Sequence, residues 1–156
     1  MSYEHTQTGG PVRVAFGLAA LGFLVMAAVD PFGLPTPRAA LVVGTVVAGA
    51  LALVWSRLTV RVDGDRLHWA FGPGWPRFSL ALADIERVEA TRTTFWQGWG
   101  IHRTRHGWLY NIAGRDAVRI TRRNGRQLML GTDEPRRLKA ALERAIARQG
   151  HGEMRR

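Results

Sequence analysis

Cysteine is absent from this 156-residue chain, which therefore forms no disulfide, no thiolate metal site and no cysteine nucleophile. Lysine is nearly absent too, because Lys139 is the only lysine among 22 basic residues. Two explanations for the arginine remain open. Arginine binds phosphates and carboxylates through paired hydrogen bonds better than lysine does, but a chain rich in Ala, Gly and Arg is also typical of a GC-rich genome.

Charge is scarce in residues 1–56, where Glu4, Arg13, Asp30 and Arg38 sum to zero. Residues 57–156 therefore carry the whole net charge of +10. A pI near 11.6 is a usual property of nucleic-acid-binding proteins. Here the charge is scattered over many predicted strands, and bulk charge alone predicts only non-specific attraction. We expect no nucleic-acid partner.

Two long apolar runs occupy this nearly uncharged part, over about 12–29 and 39–55. Each is apolar on every side, so neither is an amphipathic surface helix, and each approaches the ~30 Å thickness of a hydrocarbon core. The connector 30–38 contains three prolines, which end both helices. The sequence predicts a transmembrane helical hairpin over 12–56, after a polar tail over 1–11. A hairpin buried in a soluble protein is the alternative, but the rest of the chain could hardly cover it.

The arginines predict which way the hairpin faces. Arg57, Arg61 and Arg66 follow the second run, whereas the connector has Arg38 against Asp30. Cytoplasmic flanks are the ones rich in arginine and lysine. We therefore expect both termini in the cytoplasm and the connector outside.

From Leu58 onward the apolar pattern has a period of two, typical of half-buried strands. Asn124-Gly125 is a strong hairpin signal, and as a two-residue turn it would place Arg123 directly opposite Arg126. Trp108, Tyr110 and Ile112 are predicted to share a core-facing side of one strand. An apolar stripe then predicts an amphipathic helix, with Leu138, Ala141, Leu142, Ala145 and Ile146 at helical spacing. The predicted fold class is α+β with a membrane part. Seven antiparallel strands over 57–148 form a barrel or sandwich capped by this C-terminal helix, and 149–156 form a frayed basic tail.

Residues 58–146 resemble the bacterial pleckstrin-homology-like domains that are fused to transmembrane helices. The similarity is carried by the segments 83–88, 98–101, 107–112, 114–118 and 131–135. It implies a small barrel plugged by the C-terminal helix and anchored in the bacterial inner membrane. One departure is the acidic first hairpin loop, Asp63-Gly64-Asp65, where eukaryotic phosphoinositide-binding relatives have basic residues. Inositol-lipid binding is therefore not expected there.

No motif in the chain predicts catalysis. His102 and His106 have the spacing of metal ligands on a helix, but their segment has the pattern of a strand and a turn. The serines Ser2, Ser56 and Ser79 lie outside any Gly-x-Ser-x-Gly motif. We expect a non-enzymatic protein with no cofactor, no metal site and no catalytic residue.

The predicted function is that of a membrane-anchored binding or assembly module, which docks on anionic lipid headgroups. Only Ser56 separates the second apolar run from Arg57, so the domain stays near the membrane surface, where each basic residue gains ~1 kcal/mol. For the residues, the alternatives are that the arginines are only solvated and that the tryptophans pack in the core. For the function, the alternative is a protein-interaction or homo-oligomeric scaffold that uses the barrel face or a strand edge. The candidate residues are Arg57, Arg61, Arg103, Arg105, Arg122, Arg123 and Arg126, with Trp96 and Trp99 as interfacial anchors.

Overall fold

A computed structural model describes residues 3–29, 37–93, 100–105 and 107–153 of the chain. The elements run in the order β1 (Tyr3–Thr8), α1 (Gly10–Val29), α2 (Arg38–Val54), β2 (Arg57–Asp63), β3 (Arg66–Phe71), β4 (Arg77–Ala81), a 3₁₀ turn (Leu82–Asp84), β5 (Ile85–Arg92), β6 (Gly100–Thr104), β7 (Gly107–Asn111), β8 (Asp116–Arg122), β9 (Gln127–Gly131) and α3 (Pro135–Glu153). The α+β class is confirmed.

The strands form two sheets rather than a closed barrel within these described residues. One sheet has the order β1-β2-β3-β4, and the other has the order β5-β8-β9-β7-β6. The prediction of seven strands is wrong, because the described part of the chain contains nine. The all-antiparallel expectation is wrong at one pair, since β7 and β9 run parallel.

The unpredicted first strand lies in what the sequence indicated to be a polar tail. β1 pairs antiparallel with β2 along its whole length, from Tyr3 opposite Val62 to Thr8 opposite Arg57. Its alternating inward residues are Tyr3, His5 and Gln7. Because these side chains carry polar groups, a search for alternating apolar residues does not detect the strand. The two-sheet domain therefore consists of β1 together with β2 through α3.

The core lies between the two sheets and α3. Alternate residues of the strands, such as Leu58, Val60 and Ile120, meet Leu138 and Leu142 of α3 there. Just before α3, the hydroxyl of Thr132 accepts a hydrogen bond of 3.1 Å from the backbone N–H of Glu134. The helix continues to Glu153, whereas fraying was expected from residue 149.

Helices α1 and α2 pack against each other, with the ring of Phe23 against Gly44. One helix of the described residues, α1, is long and apolar enough to cross a membrane, with 20 residues and a mean hydropathy of 2.2. α2 is apolar but has 17 residues, so a two-helix membrane hairpin is only partly supported by length.

Candidate functional site at the hairpin base and in an arginine-lined cleft

The helical pair is inserted between two neighbouring strands. β1 passes through Gly9 into α1, and α2 passes through Trp55 and Ser56 into β2. The backbone N–H of Gly9 donates a hydrogen bond of 2.8 Å to the carbonyl oxygen of Ser56, and Arg13 N–H donates to Gly9 to begin α1. Both ends of the helical pair are therefore fixed at one end of the first sheet, which we call the hairpin end.

Gly9 is required by the closeness of this junction. A Cβ atom at Gly9 would overlap the carbonyl oxygen of Trp55 and would lie 3.4 Å from Cδ1 of Ile112. The indole of Trp55 packs near Phe71, with ring centroids 6.2 Å apart, and lines a cavity with Val12, Phe16 and Ile101. The hairpin base is thus packed onto both sheets.

The outer surface of the helical pair is apolar. Among the described residues, twelve of the fourteen exposed large hydrophobic side chains lie on α1 and α2. Soluble monomers rarely expose so large a contiguous apolar surface, which instead marks contact with a membrane or a partner. These side chains are Val14, Leu18, Leu21, Phe23, Leu24, Val25, Val29, Val42, Val43, Val46, Val47 and Leu53.

Four exposed arginines surround the base of the helical pair, and we call them the collar: Arg13, Arg57, Arg77 and Arg115. The turn that leads to Arg77 packs on the end of α2, because a Cβ atom at Gly72 would overlap the backbone of Leu53 and Val54. The turn before Arg115 packs on β1, through a hydrogen bond of 2.9 Å from Gln7 to Ala113. Within the described residues, no collar arginine has a carboxylate within 4.0 Å.

Trp75 lies in the turn between β3 and β4, beside the collar, and is 70% exposed. Tryptophan is enriched at membrane interfaces, where its ring suits the headgroup level. Trp75, Arg77 and Arg115 were not among the binding residues predicted from the sequence. A large aromatic residue inside a Gly/Pro turn was the available signal.

The predicted binding residues fall into separate places. Arg57 belongs to the collar, and Arg61 lies midway along β2, paired with Asp63 at 2.7 Å. Trp96 and Trp99 lie outside the described residues, as does His106. The remaining five arginines lie at the opposite end of the strands, which we call the far end: Arg103, Arg105, Arg122, Arg123 and Arg126.

Strand length sets the separation of these two groups. Ile112 lies against Gly9 at the base of the helical pair. From Ile112 the chain runs back along β7 to Gly107, which lies beside β9 near Arg126. About six residues at ~3.3 Å each give roughly 20 Å. This exceeds the Debye length of about 8–10 Å at ordinary ionic strength. The seven predicted arginines therefore do not form one surface.

A cleft of about 490 Å³ lies toward the far end, between β4 of one sheet and β6, β7 and the β8–β9 hairpin of the other. Four aromatic rings form a continuous wall: Trp69 stands 5.2 Å from Tyr110, Phe78 stands 4.9 Å from Tyr110, and Trp108 stands 6.4 Å from Tyr110 between centroids. Burial raises the pKa of the Tyr110 phenol above its usual value. The prediction that Trp108 is core is wrong, because Trp108 is 48% exposed, although Ile112 on the same side is fully buried.

Three of the far-end arginines line this cleft: Arg103, Arg122 and Arg126. Arg122 lies 3.4 Å from the carboxylate of Asp84, whereas Arg103 and Arg126 have no carboxylate partner among the described residues. Two buried donors in the lining, Arg122 Nε and Trp69 Nε1, have no hydrogen-bond acceptor there. The cleft is therefore rich in donors and positive charge.

The β8–β9 hairpin has a three-residue connection, so the prediction that Arg123 faces Arg126 is wrong. Arg122 N–H donates to the Arg126 carbonyl at 2.9 Å, and Gly125 takes a left-handed φ of +77°. This is the three-residue hairpin loop that ends in a left-handed glycine. Arg122 consequently lies opposite Arg126, while Arg123 turns away and donates to the Ala83 carbonyl at 2.8 Å. Like charges directly opposite each other are destabilising by up to ~1 kcal/mol.

No three His, Asp or Glu side chains come together as metal ligands in the described ranges. His102 lies on strand β6 and lines the cavity at the hairpin base.

No protein-family model matches this chain, and no curated protein matches it either.

Proposed function

We propose that this chain is a non-enzymatic, membrane-anchored binding module. In this proposal α1 and α2 cross the bacterial inner membrane out and back, and the two-sheet domain lies at its cytoplasmic face. The observation that carries it is the apolar helical pair inserted between the paired strands β1 and β2. Since both helix ends meet at the Gly9–Ser56 hydrogen bond, a hairpin in the membrane would return the chain to the side it left.

Helix length supports the crossing by α1 fully and the crossing by α2 in part. The 20 residues of α1 span about 30 Å at ~1.5 Å per residue, which matches a hydrocarbon core. The 17 residues of α2 span about 26 Å, and Trp55 adds apolar length at the domain side. A modest shortfall of this kind is accommodated by local thinning of the bilayer or by interfacial anchors.

The collar supports docking on anionic headgroups. Four arginines within about a Debye length of an anionic leaflet would together contribute about 4 kcal/mol, at ~1 kcal/mol each. With Trp75 they would fix which face of the domain touches the bilayer. The far-end arginines Arg103, Arg105, Arg122, Arg123 and Arg126 take no part in this docking.

The resemblance to bacterial pleckstrin-homology-like domains remains part of the proposal. Two packed sheets and a C-terminal helix support it. A partner-binding or self-assembling scaffold is the second candidate. It is favoured by β4 and β6, which are edge strands of the two sheets and both border the cleft.

The docking proposal is tested with single cysteines, because the natural chain has none. Full-length Trp75→Cys and Asn124→Cys proteins, each labelled with a fluorophore, are reconstituted into anionic and neutral bilayers that contain spin-labelled quencher lipids. We expect quenching at position 75 that is stronger in the anionic bilayer and weakens with salt, and none at position 124.

A matched pair of variants isolates the collar. Adding Arg57→Gln, Arg77→Gln and Arg115→Gln should reduce quenching at position 75, whereas the same loss of three charges at Arg105, Arg123 and Arg126 should not. Equal quenching in both bilayers, or equal effects of the two triple variants, would contradict docking by the collar.

A further inference from the structure

The cleft at the far end has the features of a small-molecule site that is separate from membrane docking. Its volume of about 490 Å³ lies in the ordinary range of ligand pockets. Because Arg122 and Arg126 lie at the end of the strands opposite the helical pair, headgroups of the membrane that holds the helical pair would lie roughly 20 Å from these arginines along the strands. A soluble ligand suits this position better than a lipid of the same membrane.

The positive charge of the cleft lining favours an anionic ligand. Arg103, Arg122 and Arg126 are the ionised side chains that line the cleft in the described residues, and no carboxylate is part of that lining. Arg126 lies opposite Arg122 in the β8–β9 hairpin, so an anion held between them would relieve the repulsion of the two guanidinium groups. Guanidinium groups bind phosphate and carboxylate through paired hydrogen bonds. A dianionic phosphate monoester matches three arginines better than a single carboxylate does.

The aromatic wall favours a ligand in which the anionic group is attached to a flat ring. Trp108 is about half exposed, and its ring is stacked beside Tyr110 with an interplanar angle of 29°. An exposed indole face binds a flat ring by stacking.

We propose that this cleft binds a small phosphate monoester that carries a flat ring, a ligand of mononucleotide size. The phosphate lies among Arg103, Arg122 and Arg126, and the ring stacks on Trp108. This site goes beyond the proposed membrane docking and does not depend on it.

The test is a calorimetric titration of the full-length protein in detergent micelles with nucleoside 5′-monophosphates and phenyl phosphate. The matched uncharged nucleosides, phenol and inorganic phosphate are titrated in parallel. We expect the ring-bearing monophosphates to bind, and both the uncharged rings and inorganic phosphate to bind at least about tenfold more weakly, since charge-assisted hydrogen bonds and stacking each contribute at least that factor.

Single substitutions distinguish binding in this cleft from non-specific attraction to the basic surface. Arg103→Gln and Arg126→Gln should each weaken binding about tenfold, as expected for loss of a charge-assisted hydrogen bond. Arg105 lies at the far end but is not part of the cleft lining, so Arg105→Gln should leave the binding affinity unchanged. Trp108→Leu should make phenyl phosphate bind no better than inorganic phosphate. Unchanged thermal unfolding of each variant checks that the fold is intact.

Three results would overturn the proposal: no binding of any ring-bearing monophosphate at millimolar concentration, equal binding of the uncharged rings, or an Arg105→Gln effect as large as that of Arg103→Gln. Failure of the docking experiment at position 75 would leave this outcome unchanged, because the two experiments use opposite ends of the domain.

Discussion

Gly9 is the residue at which strand β1 becomes helix α1, and replacing it with alanine perturbs the junction directly. The added Cβ would overlap the carbonyl oxygen of Trp55, which is backbone and cannot rotate away. β1 would have to separate from the start of β2, and the 2.8 Å hydrogen bond from Gly9 to Ser56 would be lost. Overpacking costs about 1–3 kcal/mol and the hydrogen bond contributes about 0.5–1.5 kcal/mol, so we expect a loss of roughly 2–4 kcal/mol.

The neighbouring Gly10 supplies the matched control, because a Cβ there meets no atom within 4 Å. Alanine is also favoured over glycine in a helix by up to about 1 kcal/mol. The assay is thermal unfolding of the full-length protein in detergent, followed by near-ultraviolet circular dichroism of its tryptophans. At ~2–4 °C per kcal/mol for a chain of this length, Gly9→Ala should lower Tm by at least about 4 °C, whereas Gly10→Ala should leave it unchanged or raise it. Equal Tm values for the two variants would refute the close junction.

Three further predictions concern the two-sheet domain. Burial, together with the nearby Glu134 carboxylate, raises the pKa of Tyr3 to about 12, so the unfolded chain loses this proton first as the pH rises. The contribution of Tyr3 to stability should therefore be constant below pH ~10 and fall between about 10 and 12, and urea titrations should show that Tyr3→Phe removes that fall. Leu142→Ala, at a fully buried site, should cost about 2–5 kcal/mol in urea unfolding, and a loss below about 1 kcal/mol would contradict its place in the core. Gly107→Ala should lower Tm more than Gly125→Ala, because only the first places a Cβ against the backbone of Gln127.

The helical and apolar parts of the fold could be predicted from sequence because their signals are local. The apolar runs of α1 and α2 and the stripe of Leu138 and Leu142 in α3 each depend on neighbours within a few residues. β1 escaped prediction because its inward residues are polar and its stability comes from pairing with β2, some fifty residues later. Sheet order, including the parallel pair β7–β9, is likewise set by contacts between distant segments.

The arrangement of the candidate site could not be predicted from sequence. Arginine and tryptophan were chosen as the residue types of interest, but sequence position does not reveal which end of a strand a residue occupies. Arg57 lies at the hairpin end and Arg103 lies in the cleft, although both were assigned to one membrane surface. Arg123 was placed opposite Arg126 because Asn124-Gly125 was interpreted as a two-residue turn, and the third connecting residue moves that pairing to Arg122.

The central claim is that α1 and α2 cross the membrane together and return the chain to one side. Single cysteines at Glu4, Thr36 and Asn124 report on β1, the connector and the β8–β9 hairpin in the full-length protein. Each is exposed to a membrane-impermeant thiol reagent, first on the outer face of the inner membrane of intact bacterial spheroplasts and then after permeabilisation. The account predicts labelling at Thr36→Cys in intact spheroplasts, and at Glu4→Cys and Asn124→Cys only after permeabilisation. Labelling of Glu4→Cys and Asn124→Cys from opposite sides, or of all three from the same side, would contradict it.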